Sequence, residues 1–383
     1  MSDTSFSKPE ERQLYGGQAV IEGVMMRSPR FFSIACRRRS DQQIIVKLES
    51  VEQIVPPFLQ FLRKPFLRGT LALIDAMAMG IKALTYSANI QMEDETGAAT
   101  ASEDRQAASA ANLAMGEGIA ERDGVRPAPH GSEPLPPAAA AKAAAPQSIN
   151  GIAIGATTVI SLLFGYALFW IFPDQLTNLI LPHHASSVHA HSWRMQIAGS
   201  VIDGLIRLLV FFIYLGLISR LAHVKRVFEY HGAEHKAINT LEAGQDLTLD
   251  NVRAASRIHP RCGTNFIFIV LTTAILVFVV IPRYRLADGI GLVLLSMLYK
   301  LLLLPVVAGI SFEILKFAGS HRDKKWAQAM IAPGLWTQYI TTRVPDDSQL
   351  EVSIASLKSV WDREHENGDA AKSSDAEPAA EVA

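Results

Sequence analysis

Read as hydrophobic and polar positions, the chain changes character at about residue 148. Beyond that point apolar residues come in blocks long enough to cross a hydrocarbon core of roughly 30 Å, which takes about 20 helical residues. Four blocks are predicted as spanning helices: Ile149–Phe172, Val201–Ala222, Phe266–Ile281 with its flanks, and Gly289–Gly309 with a helical continuation. The first and third carry no charge, the second holds Asp203 and Arg207, and the fourth holds Lys300. Asp203 and Arg207 are four apart, a spacing at which they can pair with each other near the outer surface. Lys300 falls about 17 Å along its helix, at mid-membrane depth, where a charge is costly and marks function or pairing.

Before residue 148 the pattern is different. Phe31–Arg37 and Gln43–Glu49 are rich in β-formers around a polar turn, which predicts a hairpin. Phe66–Asn89 is helical and mostly apolar, with Arg68, Asp75 and Lys82 recurring every seven residues as one narrow polar stripe. Such a stripe suits a helix lying in the membrane interface or packed against the bundle better than a fifth span. Residues 1–90 thus form a cytoplasmic region of hairpin plus interfacial helix. Residues 91–148, rich in Ala, Glu, Pro and Gly, read as a disordered linker. The membrane domain takes 149–320. A C-terminal segment, 321–363, carries a helix Asp346–Trp361, with Asp346 as cap, Gln349 at the capping-box position and Leu350, Ile354, Leu357 and Trp361 on one face. Residues 364–383 read as a disordered tail.

Lys and Arg in the loops set the orientation. The connection 173–200 has only Arg194, whereas 220–265 has Arg220, Lys225, Arg226, Lys236, Arg253, Arg257 and Arg261. Arg283 and Arg285 in the short third loop run against the trend. Four spans with both termini and the 220–265 loop in the cytoplasm satisfy the rest, and the N-terminus lacks the pattern of a cleaved signal peptide. With 36 basic and 37 acidic residues the chain has no global field directing it to nucleic acid. Two cysteines, Cys36 and Cys262, exclude a disulfide framework and a CxxC zinc module.

The sharpest chemical signal is Tyr230–Lys236, YHGAEHK. On a helix His231, Glu234 and His235 share one face, so two imidazoles can hold one divalent metal such as zinc, with Glu234 as general base toward water. His-x-x-Glu-His is the inverted zinc-protease pattern. The bland alternative is a cytoplasmic helix with headgroup-level histidines, and Gly232 weakens that helix by about 1 kcal/mol. A third ligand could be His259 or Cys262, in the same cytoplasmic loop behind a short helix, about Leu249–Ile258, capped by Thr248; a reduced thiolate is a good zinc ligand. It could also be Glu313, about 36 Å along the fourth helix at the cytoplasmic surface. Against this stands a simple Pro260 turn. Arg257 and Arg261 could steady an anionic group such as a lipid phosphate, although basic residues belong in that loop on orientation grounds alone. His183, His184, His189 and His191 could bind metal outside, but external loops often carry histidines without one.

The stretches Tyr15–Arg27 (YGGQAVIEGVMMR), Tyr230–Ala237 and His259–Thr264 (HPRCGT), with Trp326–Leu357, resemble the YqhQ-like family over nearly everything except 91–148 and the tail. These are bacterial membrane proteins with a domain of unknown function (DUF 1385), and the resemblance implies a metal-dependent enzyme. Cys36 departs from the β-branched residue expected there. In the N-terminal motif Gly16, Gly17 and Gly23 allow tight turns or close approach, and Glu22 could reach the site as a substrate-binding residue or additional ligand; a packed strand explains the same glycines. The leading expectation is therefore an α-helical inner-membrane protein with a hydrolytic metal site at the cytoplasmic interface, in contact with membrane lipids. The alternatives are a non-enzymatic factor that binds or assembles another membrane protein, using the hairpin and the two flanking helices as docking surfaces, and a transporter centred on Lys300.

Overall fold

A computed structural model describes residues 15–51, 64, 68–116, 151–180, 193–280, 290–321 and 324–374; of these, 97–116, 151–154, 178, 193–196, 279–280, 290–297, 300 and 367–374 are described by backbone alone. The predicted external histidines at 183–191 and the third loop fall outside the described residues, as does the side chain of Lys300.

The N-terminal region is an antiparallel four-stranded meander, β1 (Gly16–Val20), β2 (Gly23–Arg27), β3 (Phe31–Arg37) and β4 (Ile44–Ser50), paired in that order. The predicted hairpin is β3–β4, and the glycine-rich motif adds two further strands. Alternation along β2 and β3 sends side chains to opposite faces. Val24, Met26 and Ala35 enter one core with Tyr230, Ala233, Ala237, Ile238, Leu241, Leu350, Leu357 and Trp361. Met25, Phe32, Ile34 and Cys36 enter another with Met79, Ala83 and Ile90. The sheet is therefore covered on both faces.

The helix on the second face is α1 (Arg68–Gly116), which continues past the end expected at Asn89. Its seven-residue stripe of charges is paired at every position: Arg68 with Glu313, Asp75 with Arg27, and Lys82 with Glu49. There follow α2 (Gly151–Tyr166), a π turn Ala167–Ile171, α3 (Phe172–Ile180), α4 (Trp193–Ile218), α5 (Ala222–Glu242), α6 (Leu249–Ala254), α7 (Gly263–Val280), α8 (Ile290–Ser320), α9 (Lys325–Thr341) and α10 (Asp347–Ser374). Thr248 caps α6 by accepting from the Asn251 N–H, and the Asp346–Gln349 capping box opens α10, each side chain accepting from the other's backbone N–H. Asp203 and Arg207 pair with each other at 2.7 Å.

Among the described residues four helical segments are long and apolar enough to cross a membrane: Arg68–Thr96, Gly155–Thr177, Ile197–Ile218 and Leu301–Ser320; Gly263–Phe278 is apolar but shorter. The number agrees with the sequence expectation, but the membership differs. The first segment is the one assigned to the interface. It passes on length and apolarity, yet the sheet takes up its polar contacts through Asp75, Lys82, Gln91 and Asp94.

Candidate metal centre

The predicted face of α5 is formed. Its register is helical through His231, Gly232, Glu234 and His235, and Gly232 has a specific use. A Cβ there would stand 2.1 Å from the Arg343 carbonyl oxygen, so glycine lets the 341–345 segment lie directly on α5. The contact is sealed by the Arg343 N–H, which donates to the Phe228 carbonyl at 2.8 Å.

That approach places the Thr341 carbonyl 2.8 Å from His231 Nδ1. His235 Nδ1 lies 2.6 Å from the Arg257 carbonyl. Each carbonyl can only accept, so each imidazole carries its proton on Nδ1 and keeps the Nε2 lone pair. The two rings are 4.4 Å apart. Cys262 stands beside them, its Sγ 3.1 Å from His231 Nε2. His231, His235 and Cys262 offer ligand atoms all within 4.8 Å of one another. Tetrahedral bonds of about 2.0 Å to nitrogen and about 2.3 Å to sulfur need donors about 3.5 Å apart, so small side-chain motions suffice. The nitrogen–nitrogen–thiol set suits zinc, and an orienting carbonyl behind each imidazole is what ligating histidines ordinarily have.

Glu234 is 4% exposed, and its Oε2 is 3.6 Å from His235 Nε2 and 3.9 Å from His231 Nε2. Burial raises its carboxyl above the ordinary range, opposed by His231, His259 and the Gly17 N–H, which donates to it. Burial likewise lowers His235, so the neutral, ligating form is favoured. Gly17 belongs to β1, and a Cβ there would lie 2.8 Å from Glu234 Cγ. The N-terminal motif thus reaches the site through its backbone.

The other candidates are placed elsewhere. Glu313 accepts both guanidinium donors of Arg68, at 2.7 and 2.5 Å, and is not among the clustered donors. His259 is buried beside His235, rings 5.7 Å apart, but its Nε2 bonds Glu242 at 3.0 Å. Arg261 also pairs with Glu242, and Arg257 donates to the Thr342 carbonyl with its guanidinium 5.7 Å from the Tyr339 ring. Glu22 is the clearest departure from expectation. Its carboxylate is taken up by Arg226 (2.5 and 2.7 Å), Arg39 (3.0 Å) and the Tyr230 hydroxyl (3.3 Å), leaving no lone pair facing the cluster. The sequence reading missed Thr341, Gln338 and Glu242. Gln338 holds both backbone polar groups of His259, at 2.9 and 2.7 Å. The first two lie in the 326–357 stretch already singled out, and Glu242 carries no local signal, whereas the close approach allowed by Gly17 was expected and is formed.

A family model described as "Protein of unknown function (DUF1385)" matches residues 64–363. "Uncharacterized protein YqhQ" of Bacillus subtilis (strain 168) is 31% identical over 352 residues, 92% of this chain and 93% of that protein. No solved structure matches.

Proposed function

We propose that this chain, which belongs to the family described as protein of unknown function (DUF1385), is a metal-dependent hydrolytic enzyme of a membrane, its site at the cytoplasmic interface. The observation that carries the reading is the convergence of His231, His235 and Cys262 with both Nδ1 atoms already tied to carbonyls. Three protein donors are the number a catalytic site uses, leaving a position for substrate or water. A divalent ion held there supplies Lewis acidity toward a carbonyl or phosphoryl oxygen. Glu234, whose pKa burial raises above the ordinary carboxyl range, is the group that would take and return a proton at its Oε2. Lysines and arginines around the 220–265 loop support the cytoplasmic side.

The assembly-factor reading draws less support. The sheet is covered by α1 on one face and by α5 and α10 on the other, so the surfaces it would use for docking are occupied internally.

Metal analysis of the purified protein tests the proposal. Wild type should carry about one equivalent of zinc, consistent with one three-donor site. His235→Ala and Cys262→Ser should lose it, while Glu234→Gln and Glu313→Gln should retain it. Stoichiometric metal in His235→Ala, at normal protein abundance, rejects the site.

A further inference from the structure

Helix α9 is uncharged beyond its first residue, and its outer half is mostly apolar. No charge occurs between Lys325 and Arg343. One half of its circumference is buried through Ala327, Ile331, Gly334, Gln338 and Thr341. On the outer half Trp326, Met330, Trp336 and Tyr339 are 43, 41, 65 and 57% exposed. An uncharged helix with Trp and Tyr on its outer half and lysines at its start has the composition of a membrane-surface element.

Its two ends fix its attitude. At the start, Ala327 and Ile331 pack on Ala318, and Trp326 stacks on Phe317, both near the end of the apolar run Leu301–Ser320. Further along, Gly334 sits so close to Asn265, in the first turn of α7, that a Cβ would reach 1.7 Å from Oδ1. α7 and α8 are consecutive, mutually packed apolar helices with a short connection, the arrangement of antiparallel neighbours. The C-terminal part of α8 and the start of α7 therefore lie toward the same side of the membrane, and α9 touches both there.

The last turn of this helix is the wall of the metal cluster. Thr341 orients His231, and Gln338 fixes the backbone of His259, three residues before Cys262. Tyr339, between them, is on the outer half. We infer that α9 is an in-plane helix seated among lipid headgroups, and that the group presented to the cluster is carried on a membrane amphiphile of phospholipid type. The exposed Lys324 and Lys325 favour an anionic headgroup region. The substrate class rests on the hydrolytic reading above; the position of the helix does not.

The test uses full-length protein in phosphatidylcholine–phosphatidylglycerol vesicles, with Trp170, Trp193, Trp326 and Trp361 changed to Phe so that only Trp336 fluoresces. Lipids brominated near the glycerol end should quench it strongly, and lipids brominated at the chain end more weakly. Absence of quenching, meaning water or a protein partner covers the face, overturns the inference, and so does stronger quenching from the chain end. A second measurement keeps all five tryptophans, using protein that carries only Cys36→Ser. After chelation, a phospholipid bearing maleimide on its headgroup should add to the Cys262 thiol, read as a mass shift. Labelling by a water-soluble maleimide only overturns the substrate class. Zinc measured on untreated wild type separates the failures: bound metal with unlabelled Cys262 sinks the amphiphile alone, whereas absent metal sinks the hydrolytic reading beneath it.

Discussion

Two glutamates at the contact between the N-terminal sheet and α5 are each 4% exposed, and the fold treats them oppositely. Glu22 sits at the β1–β2 turn with a left-handed φ of 52°, a conformation that costs a non-glycine residue about 1 kcal/mol or more. Two guanidinium groups and a phenol surround its carboxylate. Burial would raise its pKa, but the hydrogen bonds and charges of Arg226 and Arg39 outweigh burial and hold it below the ordinary value. Glu234 has one backbone N–H and the imidazoles of His231 and His235 beside it, and burial outweighs them, so its pKa is raised. A buried carboxylate given cations is a structural joint. One without arginine partners, beside two imidazoles and a thiol, is a group whose charged form a bound metal ion would favour. The lesson is that burial alone does not identify a reactive acid; its partners do.

The contrast depends on the wall that holds the imidazoles, so the largest effect is expected at Gly232. In an unpacked helix Gly232→Ala would gain about 1 kcal/mol. Here the new Cβ meets the Arg343 carbonyl at 2.1 Å, and backbone has to move. A loss of about 3 kcal/mol is expected, and the Thr341 carbonyl two residues earlier should shift off His231. Zinc affinity should fall roughly 10–100-fold, as when an orienting partner is removed. Thermal unfolding in detergent and a competitive chelator titration measure the two effects; a stabilised variant with unchanged affinity would show that the wall is not rigid.

Glu22→Gln comes next. Removing one member of a buried ion pair costs about 3–5 kcal/mol, but the side chains of Arg226 and Arg39 are 41 and 50% exposed, which reduces the expectation to about 1–3 kcal/mol. The pH dependence carries the sign. A carboxylate with a depressed folded pKa contributes stability that is present above its ordinary value of 4.5 and is lost as pH falls through the lower folded value. The gap between wild type and Glu22→Gln should therefore be full at neutral pH and close below about 4.5. A gap independent of pH would mean that Glu22 acts through shape rather than charge. Zinc content should not change, since its lone pairs face the arginines.

How much of this contrast was legible in the sequence follows from how local each feature is. The His231–Glu234–His235 face, the Thr248 cap, the Asp346–Gln349 box and the β3–β4 hairpin are set within a few residues, and their spacing displays them. β1 and β2 were hidden because the run Val24-Met25-Met26 is apolar on both sides, as a doubly covered strand must be, and so shows no alternation. Arg68, Asp75 and Lys82 showed only as a narrow polar stripe, without their partners, because Glu313, Arg27 and Glu49 lie far away in the chain. Gly232 counted against its helix because propensity does not see the segment pressed on it. Among Cys262, His259 and Glu313, only tertiary packing chooses: two of the three find other partners, and Cys262 remains with the histidines.

The smallest expected effect has the opposite sign, and it bears most directly on the comparison. In metal-free protein, Glu234→Gln removes a carboxyl whose charged form burial disfavours and keeps a carbonyl oxygen to accept from the Gly17 N–H. The amide is nearly isosteric, so little packing is disturbed. Its NH2 group must still find a partner among the imidazole nitrogens 3.6 and 3.9 Å away, which offsets part of the gain. A net stabilisation of about 1 kcal/mol is expected, against a loss for the same substitution at Glu22. Unfolding midpoints of the two variants, taken together in chelator, give the signs. With zinc added, wild type should rise more than its chelated form by the binding free energy, while the advantage of Glu234→Gln should shrink, because an ion beside the carboxylate supplies the missing positive charge. If Glu234→Gln instead destabilises the metal-free protein as Glu22→Gln does, then Glu234 is a paired structural acid. The assignment of the two glutamates to different roles then fails, even if His231, His235 and Cys262 still bind metal.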